Sequence, residues 1–118
     1  MSTRRFLSEN EQRAVDTFVL RLGSAYGSRV RSVILFGSKA RGDFGPDSDI
    51  DVLVSLADDD PELRWQVQLL AARISLDHDL LLSVRAVSRS QWNKLASLRT
   101  PLYRAVTTEG IALTPSPA

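Results

Sequence analysis

The chain has 118 residues, 43% of them hydrophobic and 25% charged, and a formal net charge of +1. That length supports one modest core, and the near-neutral balance argues against a bulk electrostatic pull toward nucleic acid. The absence of cysteine excludes a disulfide scaffold and a thiolate metal site and fits a reducing cytoplasm.

The opening residues, MSTRRFLSENEQ, lack the apolar core of a signal peptide, and no apolar run approaches the roughly 20 residues of a membrane span, so a cytoplasmic protein without a membrane partner is expected. Ser8 and Glu11 have capping-box spacing, and Val15, Phe18, Val19 and Leu22 recur at helical intervals. They predict a first helix over residues 8–22, closed by Gly23 and Gly27. Residues 30–36, VRSVILF, are rich in β-branched and aromatic side chains and stop at Gly37, the pattern of a buried strand. KARG, after Ser38, suits one or two helical turns, and Gly42, Gly45 and Pro46 turn the chain into a second strand over 49–55. Pro61 suits a helix first turn, and Leu63, Val67, Leu70 and Ile74 mark one face of a long helix. Residues 79–87, DLLLSVRAV, predict a third strand. Ser88 and Gln91 repeat the capping-box spacing ahead of a short helix with Trp92 and Leu95, and residues 101–109 predict a last helix stopped by Gly110. The tail 114–118 is expected to fray. With no repeat and no long linker, residues 1–118 are expected to form one domain of α/β (α+β) class, a small mixed β-sheet flanked by helices. Trp65, Trp92 and Tyr103 are candidates for an interface, although an apolar residue on such helices is more often core.

The chemistry lies between the first two predicted strands, in LFGSKARGDFGPDSDIDVLV. Asp49 and Asp51 alternate with Ile50, Val52 and Val54, so a period-two strand turns the aliphatics to one face and both carboxylates to the other, about 7 Å apart. Like charges at that separation repel unless a metal ion or solvent lies between them. Gly37 and Ser38 follow a strand and precede a helical turn, where unpaired backbone N–H groups suit an anion. Gly37 permits close approach, Ser38 adds a hydroxyl donor, and Lys39 and Arg41 lie near enough in sequence to neutralise a polyphosphate. A phosphate cradle beside a carboxylate pair describes a site for a nucleoside triphosphate with magnesium. Asp43 and Asp47 read as turn or cap residues, and His78, the single histidine, reads as a surface residue rather than a catalytic base.

Gly37-Ser38, ten intervening residues, then Asp49-Ile50-Asp51 resembles the signature of the DNA polymerase β-like nucleotidyltransferase superfamily. FGSKARGDFGPDSDIDVLV is similar to its minimal, MntA-like antitoxin members, and SLRTPLYRAVTTEGIAL resembles the C-terminal helix that ends many of them. The resemblance implies transfer of a nucleoside monophosphate, AMP from ATP, to a hydroxyl. In it Gly37 and Ser38 serve the phosphates, and Asp49 and Asp51 are catalytic magnesium ligands. It also implies a protein partner of the HEPN toxin type, because larger relatives carry an acceptor-gripping domain for which this chain has no residues left. Active members usually carry a third carboxylate on the third strand. Asp79 keeps the acid and joins Asp49 and Asp51 in the expected metal set, whereas Ser83 is the closer counterpart by distance from the strand end. With Ser83 in that position, the alternative is an antitoxin-like binding module that neutralises its partner by contact. The base of the nucleotide, the acceptor atom and the oligomeric state stay open.

Overall fold

The computed structural model describes residues 6–42 and 48–113. Ser8 Oγ accepts the Glu11 N–H at 3.1 Å while Glu11 Oε1 accepts the Ser8 N–H at 2.8 Å, and this reciprocal cap starts α1 (Glu9–Tyr26). The helix runs past Leu22 and Gly23 and stops at Gly27, φ 53°, the second of the two glycines expected to close it. One glycine opposes a helix by only about 1 kcal/mol. Burial of Ala14, Val15, Phe18 and Leu22 on one side of α1 outweighs it.

β1 (Val30–Phe36) leads through Gly37 into the single turn α2 (Ser38–Arg41). Then come β2 (Ile50–Leu56), α3 (Pro61–His78), β3 (Leu82–Ser88), α4 (Arg89–Ser97), α5 (Pro101–Glu109) and β4 (Ile111–Ala112). The sheet order is β3-β2-β1-β4. β1 runs antiparallel to β2 and to β4, and β2 runs parallel to β3 across the α3 connection, so the sheet is mixed as expected. The two-residue β4 is too short to leave a periodic signal in the sequence.

Strand alternation sorts the two faces. Val33, Leu35, Ile50, Val52, Val54, Leu56, Leu82 and Val84 pack against the buried residues of α1 and against Leu63, Val67, Ala71 and Ile74 of α3. On the other face a smaller cluster gathers Phe36, Leu53 and Val106 with Trp92 and Leu102 from the last two helices. Asp51 lies two residues before Leu53 on that same face and is left half-buried at the margin of this layer.

The third strand starts at Leu82, not at Asp79. α3 continues to His78, and Asp79 ends it in the left-handed conformation, φ 54° and ψ 51°, which aspartate tolerates better than most residues. Trp65 is 59% exposed and belongs to no core, since it projects from the side of α3 opposite Leu63, Val67 and Ile74. Trp92 and Tyr103 are half-buried with ring centroids 5.4 Å apart. No helix among the described residues is long and apolar enough to cross a membrane. The expected fraying of 114–118 concerns residues outside the described ones.

Candidate active site

Phe36 of β1 pairs with Asp51 of β2, so the chain leaves β1 at Gly37 directly beside that carboxylate. A Cβ on Gly37 would stand 2.3 Å from Asp51 Oδ2. The backbone there has φ 77° and ψ −157°, a region essentially reserved for glycine. The Gly37 carbonyl accepts the N–H groups of Ala40 and Arg41, each at 3.1 Å, and the Ser38 carbonyl accepts that of Gly42 at 2.8 Å, which closes α2 into one turn. Among the described residues the N–H and hydroxyl of Ser38 have no partner, so both remain donors beside Asp51.

Burial is the main cause that pushes the Asp51 carboxyl above its ordinary range, and the Asp49 charge adds to it. The guanidinium groups of Arg85 and Arg41 pull the other way, and Glu109 raises it further. A half-buried carboxylate beside a second one gains from a cation between them. Magnesium keeps several waters and is held by one or two carboxylates together with substrate phosphates. Asp49 and Asp51, with the unpartnered donors of Ser38 alongside, have the chemistry to suit that ion. Among the described residues no three of His, Cys, Asp and Glu come close enough together to hold a metal.

The remaining expected site residues separate. Lys39, expected beside the nucleotide, is instead turned inward: its side chain is 3% exposed, with its ammonium 2.8 Å from Glu11 Oε2 of α1. Arg41 is exposed and stays near Asp51. Asp79, expected in the metal set, caps the C-terminal end of α3 rather than standing on β3, and it lines a small cleft that it shares with Asp49 and Glu11. The parallel register sets Ser83 opposite Asp51 instead, and Arg85 follows on the same face. His78 sits at the end of α3 with Nδ1 3.1 Å from the Ile74 carbonyl of its own helix. Asp43 and Asp47 lie outside the described residues. Sequence reasoning missed Glu109, whose carboxylate reaches both Gly37 and Arg41. Its only signal was its place immediately before the helix-stopping Gly110.

A family model for the nucleotidyltransferase domain matches residues 15–104. The chain belongs to the nucleotidyltransferase family. This nucleotidyltransferase is 33% identical over 104 residues to a Methanocaldococcus jannaschii protein named "Putative protein adenylyltransferase MJ0604", covering 88% of this chain and 98% of that one. Its fold is similar to a crystal structure of a toxin-antitoxin with AMP-PNP, at 25% identity and TM-score 0.56, over 86% of this chain and 73% of the other. It is also similar to a tri-AMPylated Shewanella oneidensis HEPN toxin in complex with MNT antitoxin, at 26% identity and TM-score 0.52, over 89% of this chain and 72% of the other. The resemblance to minimal nucleotidyltransferases therefore holds for the fold and for the enzyme class.

Proposed function

We propose that this nucleotidyltransferase moves AMP from ATP, with magnesium, to a hydroxyl on a partner protein of the HEPN toxin type. The observation that carries the reading is the Gly37–Ser38 turn lying against Asp51, with the serine donors unpartnered among the described residues. In this reading Gly37 gives the phosphates room, Ser38 donates to them through its N–H and hydroxyl, and Arg41 adds positive charge. Asp49 and Asp51 hold the metal. Magnesium bound there would neutralise phosphate charge and make an acceptor hydroxyl easier to deprotonate. The AMP-PNP complex and the AMPylated toxin among the similar structures support ATP as donor and a protein as acceptor.

Ser83 favours a second reading. Opposite Asp51, at the register position suited to a third carboxylate, it offers only a hydroxyl. A site short of one acid suits an antitoxin that acts by contact. The test is incubation of the chain with α-labelled ATP, magnesium and a HEPN-type partner or cell extract, followed by mass measurement of any labelled protein. Addition of AMP to a protein, absent in Asp49→Asn/Asp51→Asn, is the expected result. Stable partner binding with ATP bound and no label would overturn transfer and support the contact reading.

A further inference from the structure

Glu109 ends α5, and its Oε1 accepts both the Gly37 N–H at 3.0 Å and an Arg41 guanidinium N–H at 2.9 Å. The sheet builds this contact. β4 pairs with β1 through Leu35↔Ile111, and continuing that antiparallel register by two residues brings Glu109 level with Gly37. Gly110 permits the close approach: a Cβ there would stand 2.3 Å from the Val106 carbonyl oxygen and 2.7 Å from Ile34 Cγ2. One carboxylate, fixed between a helix end and a strand, thus grips α2 at its cap, Gly37, and at its last residue, Arg41. The Glu109 side chain is 18% exposed against 45% for Arg41, so the anchor is covered while the guanidinium still meets solvent.

We propose that Glu109 is a positioning residue for the triphosphate: it fixes the Gly37–Ser38 turn and aims Arg41 at the phosphates before the nucleotide arrives. The inference rests on Gly37–Ser38 being the phosphate-binding turn. Two hydrogen bonds to a charged acceptor hold the turn in one conformation, so nucleotide binding does not have to order it. Glu109 takes the Gly37 N–H and leaves the Ser38 donors, so it does not occupy the donors assigned to the phosphates.

The test is calorimetric binding of AMP-PNP with magnesium, and of adenosine as a phosphate-free control, to the whole chain and its variants. Glu109→Ala is expected to weaken AMP-PNP about tenfold or more, the effect of losing hydrogen bonds to a charged group, and to leave adenosine unchanged. Glu109→Gln, which keeps an acceptor at the same place, is expected to restore binding to within about threefold. Glu109→Ala is expected to cost less in an Arg41→Ala background than in the wild type. Glu109→Met, similar in volume and lacking both acceptor oxygens, serves if Glu109→Ala does not fold. Tighter AMP-PNP binding in Glu109→Ala would mean that the carboxylate competes with phosphate, and an equal loss for adenosine would mean a general structural role; either overturns the proposal. Ser38→Ala, measured in parallel, separates the two readings. If it weakens AMP-PNP and Glu109→Ala does not, the positioning role alone falls. If neither variant matters, the triphosphate binds elsewhere and the phosphate-turn reading falls with it.

Discussion

Replacing Gly37 by alanine tests the contact on which the site is built. The residue has φ 77° and ψ −157°, and forcing a side chain into that region costs about 1–3 kcal/mol. The new Cβ would also begin 2.3 Å from Asp51 Oδ2, so the carboxylate must retreat by roughly 1 Å to reach ordinary contact. Turning Asp51 away from its rotamer to make that space adds about 0.5–1.5 kcal/mol. The expected loss is about 2–4 kcal/mol, which for a chain of this size lowers the melting temperature by roughly 8–16 °C. Urea denaturation and thermal melting of Gly37→Ala measure it, alone and combined with Asp51→Ala. In the combined variant only the backbone part should remain, because the carboxylate that clashes is gone. Magnesium-dependent AMP-PNP binding should fall in Gly37→Ala as Asp51 is displaced. Wild-type stability in Gly37→Ala, or an equal cost with and without Asp51, would show that the turn does not lie against that carboxylate.

Asp51→Asn is expected to be more stable than the wild type at neutral pH. The Asp51 carboxyl has a raised pKa in the folded protein, so its stabilising contribution is complete below the ordinary carboxylate range and is lost as pH rises through the raised value. Denaturation at a series of pH values should therefore show the gap between variant and wild type closing as pH falls, and a gap independent of pH would contradict this. Glu11→Gln is expected to cost about 3 kcal/mol in urea denaturation, because it strips the carboxylate from an ammonium that is 3% exposed. Glu11 is subject to burial, which raises its pKa, but the Lys39 and Ser8 hydrogen bonds outweigh it and hold the pKa low, so this contribution is present above the ordinary carboxylate range and disappears as pH falls through the lowered value. Lys39→Met should leave AMP-PNP affinity unchanged, and a loss of affinity would return Lys39 to the nucleotide. Ser83→Asp should strengthen magnesium binding and lower stability in metal-free buffer through repulsion with Asp51, whereas Asp79→Asn should do neither; the reverse pattern would show that the register does not govern the metal site.

Much of this molecule is written in short stretches of sequence. The caps at Ser8 and Ser88 are contacts between residues three apart, so their spacing alone predicts them, and both form. Alternation along β2 likewise predicts that Ile50, Val52 and Val54 enter the core while Asp51 does not, because the strand period is a property of the backbone. The Gly-Ser and Asp-x-Asp signature was sufficient to indicate the family whose model then matched residues 15–104. What each side chain faces was decided elsewhere. Lys39 and Arg41 are two residues apart in one helical turn, yet α2, seated on β1 and β2, turns Lys39 to Glu11 of α1 while Arg41 meets Glu109. Parity allowed both Asp79 and Ser83 on one strand face; only the end of α3 at Asp79 and the parallel pairing of β3 with β2 set Ser83 opposite Asp51. Gly37 and Glu109 are 72 residues apart, and no local period relates them. They meet because β4 joins β1, and a register between distant strands depends on the folding of everything that brings them together.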